Sequence, residues 1–177
     1  VWTGAAWYIA ATPAPGNIWS SVDGGSNWTN TNNGFVGATY RVRYVPEKNM
    51  WWAVGFGDDK QIGYSMDGLT WTLQGLPGVI YGWDIVYSPT LNRFVSAVFG
   101  GTALRYSDDG SNWNACSGVN INYGQAVWWD SFNGRFYASG DQNNTNTVQY
   151  STDGISWTNI SGTGFDYACF GIYNNGS

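Results

Sequence analysis

The chain contains no histidine and only two cysteines, Cys116 and Cys169. Without histidine, the Ser-His-Asp and Cys-His arrangements of nucleophilic catalysis are excluded, and so is any metal site that needs an imidazole ligand. Two separated cysteines also exclude a zinc cluster built from thiolates. They leave two alternatives open, which are a disulfide between them or two buried free thiols.

Charge is also scarce. Only 11% of the residues are charged, the net charge is -5, and the seven lysines and arginines are scattered along the chain. Because no basic surface is predicted, nucleic acid is excluded as a partner. No apolar run approaches the roughly 18 to 20 residues that cross a bilayer, so no membrane span is predicted. The chain starts at Val1 rather than at an initiator methionine, so the missing signal segment does not argue against secretion.

Aromatic side chains and glycine are abundant. Aromatic residues make up 18% of the chain, with 12 Trp and 12 Tyr, and there are 25 Gly. Gly or Pro interrupts almost every stretch that is long enough to hold three helical turns. The composition therefore predicts a turn-rich, all-β fold without helices.

A short phrase, Ser-x-Asp-Gly followed closely by Trp, occurs four times. Its aspartates lie 44, 42 and 44 residues apart, which is the spacing of four-stranded blades in a β-propeller. We therefore predict a β-propeller of four-stranded antiparallel blades with four repeats visible, in a single domain or segment over 1–177. The repeats are placed at 1–36, 37–79, 80–121 and 122–165. Residues 166–177 either begin another repeat of a longer array or supply a strand that closes a ring.

Each repeat has the same predicted order of strands. The innermost strands are placed at Tyr40–Val45, Gly82–Tyr87, Gly124–Trp129 and Ala168–Tyr173. The second strands are placed at Trp7–Ala11, Trp52–Gly55, Phe94–Val98 and Phe136–Ser139. The third strand ends in the Asp phrase, and the fourth strand starts at the Trp of that phrase.

The phrase itself is predicted to be a hairpin between the third and fourth strands. Its Asp carboxylate accepts main-chain N–H groups, its Gly takes a positive φ, and its Trp packs on the sheet. Equivalent positions in a propeller lie on different blades, too far apart for a catalytic pair of carboxylates, so the role is structural. The residues of this kind are Ser21, Asp23, Trp28, Ser65, Asp67, Trp71, Ser107, Asp109, Trp113, Ser151, Asp153 and Trp157.

These four phrases resemble the Asp box, or BNR repeat, of sialidases, sortilin-type receptors and several propeller lectins. The resemblance covers the whole chain and implies a propeller blade, but it does not imply an activity. A sialidase would imply three arginines that grip a carboxylate, a Tyr–Glu nucleophile pair and an Asp acid. Here the only Glu is Glu47, in a turn, and Arg93 and Arg135 occupy one repeated position. The family's catalytic set is therefore missing, and we predict that the chain is not an enzyme.

No cofactor and no metal site is predicted. Asp58, Asp59 and Asp141 lie in loops and carry oxygen ligands suited to calcium, but the ligand spacing of a known calcium loop is absent. We therefore interpret these carboxylates as solvated loop residues.

Candidate binding residues are those at which the repeats differ. Arg41, Trp83, Gln125 and Cys169 are aligned as equivalent positions of the innermost strands, followed by Val42, Asp84, Ala126 and Phe170. Loop tyrosines 81, 123 and 167 precede them. An aromatic ring beside a carboxylate and an amide suits a sugar, and Tyr81, Trp83 and Asp84 make the best such set. The candidate ligand-binding residues are Arg41, Tyr81, Trp83, Asp84, Tyr123 and Gln125.

Four Asn-x-Ser/Thr triplets are candidate glycosylation sites, at Asn27, Asn143, Asn159 and Asn175. Together with the high content of Asn, Ser, Thr and Gly, they suit a secreted protein at the cell surface.

Three hypotheses of function follow. The first is a non-enzymatic extracellular propeller module for adhesion or recognition, with glycans or cell-surface components as partners, either alone or as a repeated unit of a larger surface assembly. The second is a purely structural filament or fibre subunit that associates with its neighbours through end strands. The third is a fragment of a sialidase-like glycoside hydrolase.

Overall fold

The computed structural model describes residues 6–11, 17–31, 34–142 and 145–160. These residues form β-strands, together with a single-turn 3-10 helix at Pro46–Lys48, so the all-β class is confirmed. Within these ranges no helix has the length and apolar character needed to cross a membrane. The strands are β1 Trp7–Ala11, β2 Asn17–Ser21, β3 Thr29–Asn30, β4 Thr39–Val45, β5 Met50–Gly55, β6 Ile62–Ser65, β7 Thr72–Gln74, β8 Tyr81–Ser88, β9 Arg93–Phe99, β10 Leu104–Ser107, β11 Asn114–Ala115, β12 Tyr123–Asp130, β13 Arg135–Gln142, β14 Thr145–Ser151 and β15 Thr158–Asn159.

The chain divides into two compact units, Val1–Gly82 and Trp83–Ser177. In the first unit, β1, β2 and β3 form one antiparallel sheet, and β4, β5, β6 and β7 form another in that order. In the second unit, β9 lies between β8 and β10, and β11 pairs with the far side of β10. The strands from β12 to β15 follow one another in order, and a pairing of Tyr123 with Phe99 joins the two groups.

The predicted order of strands within the repeats matches the observed strands. The innermost strands correspond to β4, β8 and β12, and the second strands correspond to β1, β5, β9 and β13. The predicted strand at Ala168–Tyr173 lies outside the described residues. Each fourth strand begins one residue after the Trp of its phrase rather than at the Trp.

The second strands β5 and β9 are deeply buried. All residues from Trp51 to Gly55 are buried, and so are all residues from Phe94 to Val98. A middle strand that is covered on both faces needs a continuous apolar run rather than an alternating one, and these segments provide it. Full burial of one large apolar side chain stabilises the fold by roughly 1.5–3 kcal/mol, so these strands contribute much of the stability of each unit.

The turns between first and second strands repeat in detail. Asn49 and Asn92 take left-handed conformations, with φ of 48° and 49°. The hydroxyl of Tyr44 donates to Asn49 Oδ1 at 2.6 Å, and that of Tyr87 donates to Asn92 Oδ1 at 2.8 Å. Asn tolerates this backbone region better than most residues do. The matching turns make Tyr44 and Tyr87 structurally equivalent.

The four Asp phrases form hairpins as predicted. We call them the first to fourth Asp hairpins, Ser21–Trp28, Ser65–Trp71, Ser107–Trp113 and Ser151–Trp157. In the second, Ser65 Oγ donates to Asp67 Oδ1 at 2.9 Å and accepts from the Gly68 N–H at 2.8 Å. Asp67 Oδ1 also accepts from the Thr70 N–H at 2.7 Å. The indole of Trp71 donates to the Gly68 carbonyl at 3.3 Å, so the Ser, Asp and Trp side chains that recur in each phrase all hold the turn.

These hydrogen bonds keep the hairpin carboxylates ionised. The main-chain N–H of Asn27 is the largest of several donors that lower the pKa of Asp23 to about 2. The N–H groups of Thr70 and Leu69 do the same for Asp67, whose pKa is also about 2. The pKa of Asp109 is lowered as well, mainly by the main-chain N–H of Asn112. The carboxylates therefore serve as fixed acceptors within their own turns.

Candidate functional site

An exposed aromatic ring that packs on a second ring lies in the second unit, where Tyr123 starts β12. Its ring stacks on Phe99 at the end of β9, with ring centroids 4.4 Å apart and planes 15° apart. Tyr123 is nevertheless 42% exposed. Stacking on Phe99 holds the Tyr123 ring in one orientation, while the exposed fraction leaves apolar ring surface in contact with solvent.

A carboxylate lies beside this ring. Asp141 of β13 is the direct cross-strand partner of Tyr123, and its carbonyl accepts the Asn122 N–H at 2.7 Å. Side chains of directly opposed residues lie on the same face of a sheet, with Cβ atoms about 4.5–5.5 Å apart. Phe99, Tyr123 and Asp141 thus place a flat apolar surface next to a hydrogen-bond acceptor. We call these three residues the Tyr123 site.

Gln125 lies two residues further along β12, at a β-bulge between Gly124 and Ala126. Its amide oxygen is shielded from solvent and has no hydrogen-bond partner in the described part of the chain. A buried acceptor left without a donor costs roughly 1–3 kcal/mol, and such groups in folded proteins usually bind an ordered water. Gln125, two residues after Tyr123 in the chain, therefore carries an additional hydrogen-bond acceptor.

Asp84 does not face solvent as a sugar ligand would require. It is only 2% exposed, and its carboxylate accepts the Ile85 N–H at 2.9 Å and the Val127 N–H at 3.3 Å. Val127 belongs to β12, so Asp84 connects two neighbouring strands of the second unit. The prediction that Asp84 offers its carboxylate to a ligand is corrected, because main-chain groups already occupy it.

The alignment of Arg41 with Trp83 and Gln125 is wrong by one residue. Since Tyr44 and Tyr87 are equivalent, Arg41 matches Asp84 rather than Trp83. The strand registers agree, because a bulge falls between Thr39 and Arg41, as it does between Gly124 and Ala126. The sequence conceals this offset because Thr39 stands where the later repeats have glycine. Arg41 and Trp83 are both half-buried.

Tyr81 lies in the first unit and is packed differently from Tyr123. Its ring is 4.9 Å from that of Phe56 and meets Tyr40 edge-on at 6.3 Å. Tyr81 is half-buried in this cluster. Burial, and to a lesser extent the neighbouring Tyr81, raises the pKa of Tyr40, as expected for a phenol among rings. Tyr81 therefore contributes to packing more than to an exposed surface.

Two residues of the Tyr123 site were not among the candidate ligand-binding residues. Phe99 was not singled out, and Asp141, which was interpreted as a solvated loop residue, lies in β13 instead. A signal for Phe99 was present, because Phe56, directly after β5, and Phe99, at the end of β9, each precede a glycine. Asp141 holds the corresponding position of the next repeat, so the exchange of an aromatic ring for a carboxylate marks the Tyr123 site. Comparison of second-strand ends, in addition to innermost strands, would have identified it.

Arg93 and Arg135 were assigned to the repeated pattern rather than to substrate binding. The guanidinium carbon of Arg93 lies 5.3 Å from the centroid of the Tyr106 ring, and that of Arg135 lies 5.1 Å from the centroid of the Tyr150 ring. Asn27 and Asn159 are exposed, whereas Asn143 and Asn175 lie outside the described residues.

Among residues 6–11, 17–31, 34–142 and 145–160, no three His, Cys, Asp or Glu side chains form a group that could hold a metal ion.

Cys116 is a free, buried thiol rather than one half of a disulfide. Burial raises its pKa to about 12. A thiolate is therefore absent at neutral pH, and Cys116 is not a nucleophile there. Cys169 lies outside the described residues.

No protein-family model matches the chain, and no curated protein sequence matches it. Solved structures do match. A chain from a nidogen/laminin complex is 14% identical with a TM-score of 0.63, covering 81% of this chain and 56% of that one. A GH74 enzyme from Niastella koreensis is 20% identical with a TM-score of 0.59, covering 89% of this chain and 24% of that one. YCF48 bound to D1 peptide is 16% identical with a TM-score of 0.57, covering 87% and 50%.

These structures share the fold with the chain. They are β-propeller-like proteins, so the chain has a β-propeller-like, all-β fold of antiparallel sheets. The chain spans 56% or less of the length of each of the three. Their identities, all at or below 20%, carry no information about activity.

Proposed function

We propose that this chain is a non-enzymatic, extracellular recognition or adhesion module that binds glycans at the Tyr123 site. The observation that carries the proposal is the exposed Tyr123 ring, stacked on Phe99 and directly opposite Asp141. The C–H face of a pyranose packs on a flat aromatic ring, while its hydroxyl groups donate to a carboxylate. A ring held rigid before binding loses little conformational entropy when the ligand arrives.

We infer that the module is an Asp-box propeller with four-stranded blades. The strand groups β4–β7, β8–β11 and β12–β15 support this, because each has four antiparallel strands and an Asp hairpin between its last two. The hydrogen bonds within the hairpins repeat from copy to copy, as expected for a recurring structural unit.

The hairpin carboxylates support a role without catalysis. A general acid needs a pKa near the working pH, whereas the pKa values of Asp23 and Asp67 are about 2. Burial acts to raise the pKa of Asp153, but the N–H groups of Ser156 and Ile155 and the Ser151 hydroxyl outweigh it and lower that pKa. Each of these groups is held ionised by its own turn.

A glycan array probed with the labelled full chain tests the proposal. We expect binding to at least one class of neutral or mildly polar glycan, confirmed by calorimetry with the free sugar. The Tyr123→Ala variant should lose at least about tenfold in affinity, which corresponds to about 1.4 kcal/mol. Tyr81→Ala is the matched control and should bind as the parent does. Absence of any ligand on the array and in calorimetry would refute the proposed function.

A further inference from the structure

A tight turn in the second unit carries an exposed phenylalanine. The turn joins β12 to β13, and Phe132 at its tip is 87% exposed. The buried Asp130 holds the tip, because its carboxylate accepts the main-chain N–H groups of Phe132 at 3.0 Å and of Asn133 at 3.2 Å. The side-chain amide of Asn133 donates to the same carboxylate at 2.6 Å. Phe132 therefore projects into solvent from a fixed turn. We call Asp130–Arg135 the Phe132 turn.

The fold does not need an apolar ring at this position. In the corresponding turns of the two preceding repeats the position is held by Glu47 and Thr90, which are both exposed. The correspondence follows from the left-handed residue two positions later, which is an Asn in those turns and is Gly134 here, with φ of 62°. Because polar side chains serve the turn in the other repeats, packing within the fold does not explain the choice of Phe132.

Arg135, the last residue of the Phe132 turn, has different surroundings from its counterpart Arg93. Each of the two directly follows the left-handed residue of its turn, and each guanidinium lies over a tyrosine ring. Arg93 also forms an ion pair with Asp108, with 2.6 Å between Nε and Oδ1, and its side chain is only 16% exposed. In the fourth repeat Thr152 holds the position of Asp108, and Arg135 is exposed. The hairpin beside Arg135 thus lacks the carboxylate that neutralises Arg93.

The Phe132 turn therefore combines an apolar ring with a positive charge. Aromatic residues and arginine are enriched in protein interfaces relative to the rest of the surface. Complementary charges on the two sides give such interfaces their specificity. The partner surface that fits is an apolar recess with carboxylates beside it, and a net charge of -5 makes carboxylates plentiful on the chain itself.

A cavity of this kind lies in the first unit. Its volume is about 340 Å³, and its lining includes the apolar Leu76, Pro77 and Val79. The exposed Asp58 and Asp59 also line it, and none of its described lining residues is basic. The volume is at the lower end of the range for small-ligand sites, so the cavity suits a single large side chain of a partner. We call it the Asp58 cavity.

One buried side chain connects the two turns that form the Asp58 cavity. Gln61 is 2% exposed, its amide oxygen accepts the Leu76 N–H at 2.9 Å, and its amide nitrogen donates to the Gly57 carbonyl at 3.3 Å. The Lys60 N–H donates to the Gly57 carbonyl at 2.9 Å and closes the turn that carries the aspartates. The Val79 N–H donates to the Leu76 carbonyl at 3.0 Å and closes the other turn. Since both turns are fixed before binding, little conformational entropy is lost when a partner docks.

We propose that the Phe132 turn of one copy of this chain docks in the Asp58 cavity of a second copy. The Phe132 ring packs against the apolar lining, and the Arg135 guanidinium pairs with the carboxylates of Asp58 and Asp59. The two surfaces differ, so the contact is head-to-tail, and successive copies form rings or open chains. Tyr123 and the Phe132 turn lie at opposite ends of β12, so the contact is separate from the proposed glycan site.

Sedimentation of the full chain tests the contact. We expect concentration-dependent association of the parent, weakened at least about tenfold by Phe132→Ser and by Arg135→Glu. Val22→Ser is the matched control, because Val22 on the first Asp hairpin is an apolar side chain with 82% exposure. All three positions are exposed, so the variants should keep the circular dichroism spectrum of the parent. A parent that stays monomeric, or an equal loss in Val22→Ser, refutes the proposal.

A mixing experiment identifies the partner surface. The double variant Asp58→Arg/Asp59→Arg should fail to self-associate, as Arg135→Glu does. An equimolar mixture of these two variants should associate again, because one copy keeps the native turn and the other keeps the native cavity. Association of the double variant at the level of the parent would show that Arg135 docks elsewhere. A mixture that stays monomeric overturns the proposal as well.

Discussion

Two Phe–Tyr ring pairs occupy corresponding positions in the two units, yet they differ in packing and exposure. In the first unit, Phe56 and Tyr81 lie 4.9 Å apart at an angle of 38°, and Tyr40 packs against them. In the second unit, Phe99 and Tyr123 are nearly parallel and Tyr123 is 42% exposed. The same repeated position therefore serves packing in one unit and presents a surface in the other. The predictions below test this difference.

The largest effect is expected from Phe99→Ala. Truncation removes the ring on which Tyr123 stacks, so Tyr123 loses its fixed orientation. We expect glycan affinity to fall at least about tenfold, and the free energy of unfolding to fall by about 2 kcal/mol, because a half-buried ring is lost. Calorimetry and urea denaturation measure the two quantities. An unchanged affinity would show that glycan binding does not depend on the stacked rings of Phe99 and Tyr123.

Tyr81→Ala should affect stability alone. The ring makes two aromatic contacts in the first unit, so we expect a loss of about 1–2 kcal/mol in the free energy of unfolding. Tyr123→Ala should cost less than about 1 kcal/mol, because the Tyr123 ring is more exposed. Urea denaturation of both variants gives the comparison. Equal losses would mean that the two ring pairs do not differ as the structure indicates.

Asp141→Asn should weaken glycan binding by a smaller factor. The amide keeps the size of the side chain but loses a charged acceptor, and hydrogen bonds to charged groups are the stronger ones. We expect a loss of roughly threefold to tenfold in affinity without a change in the melting temperature. Asp58→Asn in the first unit is the matched control. A loss of the same size in the control would assign the effect to general electrostatics.

The smallest effect is the acid dependence of the Asp hairpins. The pKa of Asp67 is about 2 in the fold against an ordinary value of 3.8, so folding favours its ionised form. The stability it contributes is present above about pH 4 and is lost as the pH falls through about 2. Asp67→Asn should flatten the decline of the melting temperature between about pH 4 and pH 2. A parallel decline in the variant would assign acid sensitivity to other groups.

The parts of the fold that follow from short-range patterns were predictable. Asp-Gly turns, the Trp after each turn and the spacing of 42 to 44 residues placed the strands and the hairpins. The register of β4 was not predictable, because the bulge next to Tyr40 leaves no mark in the sequence. Burial of Asp84 depends on Val127, 43 residues away. Main-chain hydrogen bonds likewise join Ser117 to Ile155 and Trp157 of the fourth Asp hairpin, almost one repeat later.

The candidate site could be predicted only in part. Tyr123 stood out because loop tyrosines recur before the innermost strands, but its exposure depends on how Phe99 packs. Asp141 lies on another strand, and only the pairing of β12 with β13 brings it opposite the ring. A single sequence shows which residue types recur. It does not show which of two similar rings is left uncovered by its neighbours.

An NMR titration of the full chain with the best glycan from the array tests the account most directly. The account predicts that the largest shifts fall on Phe99, Tyr123 and Asp141, while Phe56 and Tyr81 stay unchanged. Largest shifts at Phe56 and Tyr81, or shifts spread evenly over both ring pairs, would contradict the claim that the second unit carries the binding surface.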